Sequence, residues 1–161
     1  MSGTDISFRT PEGRFNYRVC AVIVHKDRLL VMKDSRSPYY YLPGGRVSLH
    51  ETAEDAILRE LREELELEAV IVRPLWFNQS FFTEDVSSEK FHEICIYYLI
   101  DAEKTNLYDR GDSFCGREQH HGHRFEWLGF DEVEQAYLYP LFIKEKVRNL
   151  PLSLEWISES E

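Results

Sequence analysis

Residues 52–65 repeat apolar side chains with the period of an α-helix, and this pattern constrains the fold more than any other part of the chain. At about 100° per residue the apolar positions form one stripe, which must pack against a core. The stripe consists of Ile57, Leu58, Leu61 and Leu65. Thr52, with Asp55 three residues later, can cap the N-terminus, and Ser48 with Glu51 is the alternative cap. The pattern therefore predicts an amphipathic helix.

The same segment concentrates negative charge. Residues 51–68 hold eight acidic and two basic side chains, a net charge of −6 within a chain total of −10. Such a run is most often a solvated helix face. Here, however, Glu60, Glu63 and Glu64 share one arc of the helix, and each pair of like charges costs about a few tenths of a kcal/mol. Mg²⁺ would neutralise the arc, because it prefers carboxylate and water oxygens.

Apolar and β-branched runs predict strands on both sides of this helix. The predicted strands are Arg18–His25, Leu29–Lys33, Tyr39–Leu42, Ala69–Phe82 with a bend at Pro74, Lys90–Asp101 and Arg124–Phe130. Short helices are expected at Asp131–Tyr137 and Leu141–Leu150, and no element is expected at Ala102–Gly122. A loop of that length in a compact domain is usually functional or mobile. Strands and helices interleave. We therefore expect a single α/β or α+β domain over residues 1–161, with a core at about 17–150 and flexible ends.

Length and composition narrow the class of protein. The 161 residues correspond to about one domain, and a hydrophobic fraction of 43% is enough to fill a core. The longest apolar run, Ile94–Ile100, is far shorter than the roughly 18 residues of a membrane-spanning helix. The net charge of −10 opposes sequence-independent binding to nucleic acid. Three widely spaced cysteines and an N-terminus without an apolar signal lead us to expect a reducing, cytoplasmic setting.

A proline and two glycines precede the helix, in the turn Leu42–Arg46, and allow the backbone to approach a ligand closely. Gly45, Glu51 and the segment Arg59–Leu67 together resemble the Nudix box, G-x5-E-x7-R-E-U-x-E-E-x-G-U, in which U is apolar. The one departure is Glu66, where the family has glycine. A glutamate in the left-handed conformation costs about 1 kcal/mol there. The resemblance covers most of residues 17–150, and the box is its specific part.

The resemblance implies a fold and an activity. The implied fold is the Nudix fold, an α/β/α sandwich with a mixed central sheet and the box helix after the PGG turn. The implied activity is hydrolysis of the diphosphate linkage in a nucleoside diphosphate derivative, with Mg²⁺ or Mn²⁺ as cofactor. The implied metal ligands are Glu60, Glu63, Glu64 and a backbone carbonyl at Gly44 or Gly45, with Glu51 and Arg59 orienting the carboxylates.

The sequence leaves the general base and the phosphate contacts open. In this family the base is a box glutamate or one from a later loop or strand. Glu118 is the first choice, and Glu93 and Glu126 are the alternatives. The cations available for phosphate contact are Lys33, Arg36 and Arg46.

Two hypotheses other than an enzyme stay open. One is a Nudix-fold module that binds a nucleotide ligand or regulates without turnover, and the other is an acidic protein-interaction domain. The intact glutamates favour the enzyme. We expect a small nucleotide-type substrate as partner, with neither a nucleic acid duplex nor a membrane, and the sequence is compatible with a homodimer.

Overall fold

The computed structural model describes residues 3–116 and 122–160. Its strands are β1 (Ser7–Thr10), β2 (Gly13–Val22), β3 (Val24–His25), β4 (Arg28–Lys33), β5 (Gly44–Arg46), β6 (Val70–Thr83), β7 (Lys90–Asp101), β8 (Ser113–Cys115), β9 (Arg124–Gly129) and β10 (Glu155–Ser160). Its helices are α1 (Ala53–Leu65), α2 (Phe130–Gln135) and α3 (Ile143–Lys146), with a 3₁₀ turn at Leu107–Asp109.

The strands form two sheets. The larger sheet has the order β1-β2-β7-β6-β10, and β5 also pairs with β2. It is mixed, because β2 runs parallel to β7 and β6 parallel to β10, whereas the other pairs are antiparallel. The smaller sheet, β3-β4-β9-β8, is antiparallel throughout.

Helices cover both faces of the larger sheet. Val19 and Ala21 of β2 point into the core that contains the apolar stripe of α1. The alternate residues, Cys20 and Val22, point into a second core that contains residues of α2 and α3. This arrangement confirms the predicted α/β fold with a mixed central sheet.

Both ends of α1 follow from the sequence. Thr52 is the N-cap, and its hydroxyl accepts a hydrogen bond from the amide of Asp55 at 3.1 Å. The alternative pair is also used, because the Glu51 carboxylate accepts from the amide of Ser48 at 3.0 Å. At the other end Glu66 adopts the left-handed conformation, with φ 52° and ψ 41°. The helix thus ends where the sequence places its end.

Three local predictions were wrong. Tyr39–Leu42 is no strand and pairs only through isolated bridges, since the flanking prolines Pro38 and Pro43 have no backbone donor. The segment Ala102–Gly122, expected to lack elements, contains the 3₁₀ turn and β8. The chain ends, expected to be flexible, contain β1 and β10, which pair with β2 and β6 of the larger sheet.

The bend at Pro74 is confirmed. The register between β6 and β7 shifts on either side of it, because proline has no N–H to donate to the ladder. None of the described helices is long and apolar enough to cross a membrane.

Replacing Glu66 by glycine should raise the free energy of unfolding by about 1 kcal/mol, because glycine carries no steric penalty at positive φ. Urea denaturation measures the difference. Glu66→Ala is the matched control, since it removes the same side chain but keeps the strain. An equal gain in both variants would assign the effect to the carboxylate and contradict the backbone explanation.

Candidate active site

Two glycines let strand β5 approach its neighbours closely, Gly45 the helix that follows and Gly44 strand β2. A Cβ built at Gly45 would lie 2.3 Å from the carboxylate of Glu60, and one at Gly44 would lie 2.1 Å from the carbonyl oxygen of Val19. The contacts that glycine permits here bring the Glu60 carboxylate next to the backbone of the turn.

The guanidinium of Arg59 connects the helix to the turn. It binds the Glu51 carboxylate with two hydrogen bonds, of 2.8 and 2.9 Å, and donates to the carbonyl oxygen of Arg46 at 3.0 Å. Its remaining nitrogen lies 2.9 Å from Glu60 and 3.3 Å from Glu63. The Arg59 hydrogen bond is the main cause of the lowered pKa of Glu51. One cation therefore orients three carboxylates.

Within the acidic arc, Glu64 is buried and Glu60 is half-buried. Burial raises the pKa of Glu60 to about 7, although Arg59 lowers it. Repulsion by Glu63 raises it further, and the charge of Arg18 lowers it. The Glu64 side chain is buried, and its carboxylate accepts a hydrogen bond from the amide of Gly44 at 3.2 Å. The arc thus meets the PGG turn at two points.

The carboxylates are adjacent without forming a closed cage. Across residues 3–116 and 122–160 no three acidic, histidine or cysteine side chains converge in a geometry ready to hold a metal ion. Arg59 lies between Glu60 and Glu63, and Glu64 is bonded to the backbone.

The cations proposed for phosphate contact have partners of their own. Arg46 lies 3.6 Å from Asp5, and Arg36 lies 3.2 Å from Asp34. The ammonium of Lys33 lies 4.4 Å from the centroid of the Tyr40 ring. Arg46 is also joined to the acidic helix, because its backbone carbonyl accepts a hydrogen bond from Arg59.

The candidate bases differ in their surroundings. Glu118, the first choice, lies outside the described residues. Glu126 on β9 accepts a hydrogen bond from the hydroxyl of Tyr40 at 3.1 Å. Glu93 on β7 accepts from the side-chain amide of Asn16 at 3.2 Å and lies 4.0 Å from the guanidinium of Arg18.

Arg18 is the functional candidate that the sequence did not reveal. It lies opposite Arg46 in the ladder between β2 and β5, and its charge acts on Glu60. The one signal in the sequence was a cation at the start of an otherwise apolar strand. Only the pairing of β2 with β5 brings it to the acidic helix.

Comparison with known proteins shows the family to which the chain belongs. The family model for the NUDIX domain matches residues 14–149. The chain belongs to the NUDIX family. Membership of this family makes it a pyrophosphohydrolase of the Nudix type. Among curated proteins, none matches the chain.

Solved Nudix structures share the fold. A MutT Nudix hydrolase from Burkholderia pseudomallei is 24% identical, with a TM-score of 0.55, over 81% of this chain and 95% of that one. The mutator protein MutT of Bacillus halodurans is 15% identical, with a TM-score of 0.58, over 88% and 86%. An ADP-ribose pyrophosphatase from Streptococcus suis is 15% identical, with a TM-score of 0.51, over 91% and 98%.

Alanine at the two glycines should have different effects on stability. A methyl group at position 45 meets only the mobile end of Glu60, so Gly45→Ala should change the free energy of unfolding by less than about 1 kcal/mol. At position 44 it meets the backbone carbonyl of Val19, and such overpacking costs about 1–3 kcal/mol. Urea denaturation measures both, and equal losses in the two variants would contradict the described packing.

Proposed function

We propose that this Nudix protein hydrolyses a diphosphate linkage in a nucleoside diphosphate derivative, with Mg²⁺ or Mn²⁺ as cofactor. The observation that carries the proposal is the adjacency of Glu60, Glu63 and Glu64 on one arc of α1, packed against the Gly44–Gly45 backbone. A diphosphate is itself negatively charged, so this arc can receive it only together with cations.

The chemistry of the donors fits a hard divalent cation. The three carboxylates supply the oxygens that Mg²⁺ and Mn²⁺ prefer, and a carbonyl oxygen at Gly44 or Gly45 is proposed to complete the set. Glycine at position 45 lets the Glu60 carboxylate lie directly against the turn, since a Cβ there would occupy the place of the carboxylate. We therefore propose Glu60, Glu63 and Glu64 as the residues that hold the metal.

The proposed reaction divides between the cation and the chain. When bound, the metal supplies a Lewis acid that polarises phosphoryl oxygens and lowers the pKa of water for in-line attack on phosphorus. Arg59 and Glu51 hold the carboxylates in orientation, since the guanidinium bonds to Glu51, Glu60 and Glu63 at once. Arg46, with Lys33 and Arg36 as further candidates, is proposed to bind phosphate oxygens.

Glu118 is proposed as the general base. The described residues on either side of it are bonded to each other, because the amide of Gly116 donates to the carbonyl of His123 at 3.0 Å. A Cβ at Gly116 would lie 3.2 Å from the carbonyl oxygen of Glu64. Glu93 and Glu126 are weaker candidates, since each carboxylate already accepts a side-chain hydrogen bond. Glu118→Gln should lower kcat far more than it raises KM, because a general base acts chiefly in the transition state.

Glu63→Gln and Glu64→Gln should each lower turnover by at least about a hundredfold and preserve the fold, because each removes charge that the cation requires. Phosphate release from a panel of nucleoside diphosphate derivatives with Mg²⁺ or Mn²⁺ measures the loss, and circular dichroism checks the fold. The matched control is Glu68→Gln, which lies beyond the helix, exposed and paired with Arg62. Near-wild-type rates in both site variants would rule out the proposed metal ligands.

A further inference from the structure

The face of the larger sheet opposite α1 buries polar side chains where strand alternation would place apolar ones. Asn16 on β2 and Asn78 and Ser80 on β6 keep only 3%, 2% and 9% of their surface exposed. Trp76, two residues before Asn78 on the same face, is part of the apolar core. Burial of a polar group costs free energy unless the group is hydrogen-bonded, so these buried polar side chains need a structural or functional explanation.

Part of the region is a network that fixes one carboxylate. The Ser7 hydroxyl donates to the Asn16 side-chain oxygen at 2.6 Å, and the Asn16 amide donates to Glu93 at 3.2 Å. Arg18 lies 4.0 Å from the same Glu93 oxygen. The side chains of Glu93 and Arg18 keep 16% and 24% of their surface exposed, so a ligand can reach both.

Another part of the region is an acceptor without a donor. The side-chain amide of Asn78 donates to Glu159 at 3.0 Å, but its oxygen is buried and has no hydrogen-bond partner in the described structure. In the ladder Asn78 lies opposite Cys95, and Ser80 lies opposite Glu93. Asn78 and Glu93 are thus diagonal neighbours on one face, with about 7–8 Å between their backbones. A ring-sized ligand spans that separation.

We propose that this face binds the nucleobase of the substrate and selects bases that carry an exocyclic amino group. The proposal rests on the proposed function and names the substrate class of the same site. Glu93 and the oxygen of Asn78 are acceptors, so the ligand must supply N–H donors, as adenine, guanine and cytosine do. Uracil and thymine would turn a carbonyl toward at least one of these oxygens.

The position of Arg18 joins the proposed base site to the acidic helix. Its guanidinium lies 4.0 Å from Glu93, and its strand pairs with β5, whose Gly45 contacts Glu60. A base held at Glu93 and Asn78 would therefore leave its phosphates beside Arg18 and Arg46, which are opposite each other in the ladder. From there the diphosphate reaches the proposed metal ligands.

Calorimetric titration of the full chain with AMP, GMP, CMP and UMP in EDTA tests the site without turnover or metal. We expect at least one of the amino-bearing nucleotides to bind about tenfold or more tightly than UMP, the difference that one unpaired acceptor produces. Glu93→Gln should reduce that ratio severalfold, because the new side chain can also donate to a carbonyl. Glu103→Gln, an exposed residue after β7, is the matched control and should leave the ratio unchanged.

Asn78→Leu provides a second variant that does not depend on Glu93. It should weaken the preferred nucleotide about tenfold while the melting temperature stays equal or rises, because it removes a buried acceptor that has no donor. Unchanged affinity in this variant, or wild-type binding of UMP as tight as the others, would overturn the base site. Ribose 5-phosphate that binds as tightly as the nucleotides would also overturn it, in favour of a sugar site.

Failure of this site and failure of the proposed function are distinguishable. Discrimination among monophosphates in EDTA without hydrolysis of any diphosphate would support the base site and contradict the reaction. Hydrolysis of a diphosphate without discrimination among the monophosphates would support the reaction and contradict the base site.

Discussion

The ion pairs and hydrogen bonds of one guanidinium hold the acidic helix in place. Arg59 bonds to Glu51, Glu60 and Glu63 and to the carbonyl of Arg46, so it joins α1 to the strand before it. Without this cation, carboxylates that share one arc would repel one another. The side chain is largely buried, so solvent screens these pairs less than it would on the surface.

The two faces of the larger sheet carry different groups of polar and charged residues. One face packs on the apolar stripe of α1, which leaves the acidic arc at the sheet edge beside Gly44 and Gly45. The other face packs on α2 and α3 and carries the polar network around Glu93. Arg18 lies 4.0 Å from Glu93 and opposite Arg46 of β5, the strand that contacts Glu60 through Gly45. A substrate with a diphosphate at one end and a base at the other suits this arrangement.

The sequence predicted what depends on local spacing. The period of α1, its Thr52 cap and the left-handed Glu66 follow from residues within a few positions of one another. Contacts between distant segments were not predictable in this way. The Tyr39–Leu42 segment has strand-like side chains, but prolines on either side limit its pairing to isolated bridges. Strand β10 was missed because its partner, β6, lies far away in the chain.

The same limit applies to the site. The spacing of the acidic residues revealed the arc, whereas Arg18 and Asn16 became candidates only when strand pairing placed Arg18 opposite Arg46 and Asn16 opposite Glu93. The Asn78 side-chain oxygen was not foreseeable at all, because its lack of a hydrogen-bond partner among residues 3–116 and 122–160 depends on everything packed around it.

If the folded arc binds a divalent cation, a Mn²⁺ titration followed by electron paramagnetic resonance will detect the binding. We expect the wild-type chain to remove the signal of free Mn²⁺ saturably. Glu60→Gln should bind at least about tenfold more weakly, since even residues that only orient metal ligands cost that much when lost. Equal binding by both proteins, or a free-ion signal that the wild-type chain leaves unchanged, would contradict the account.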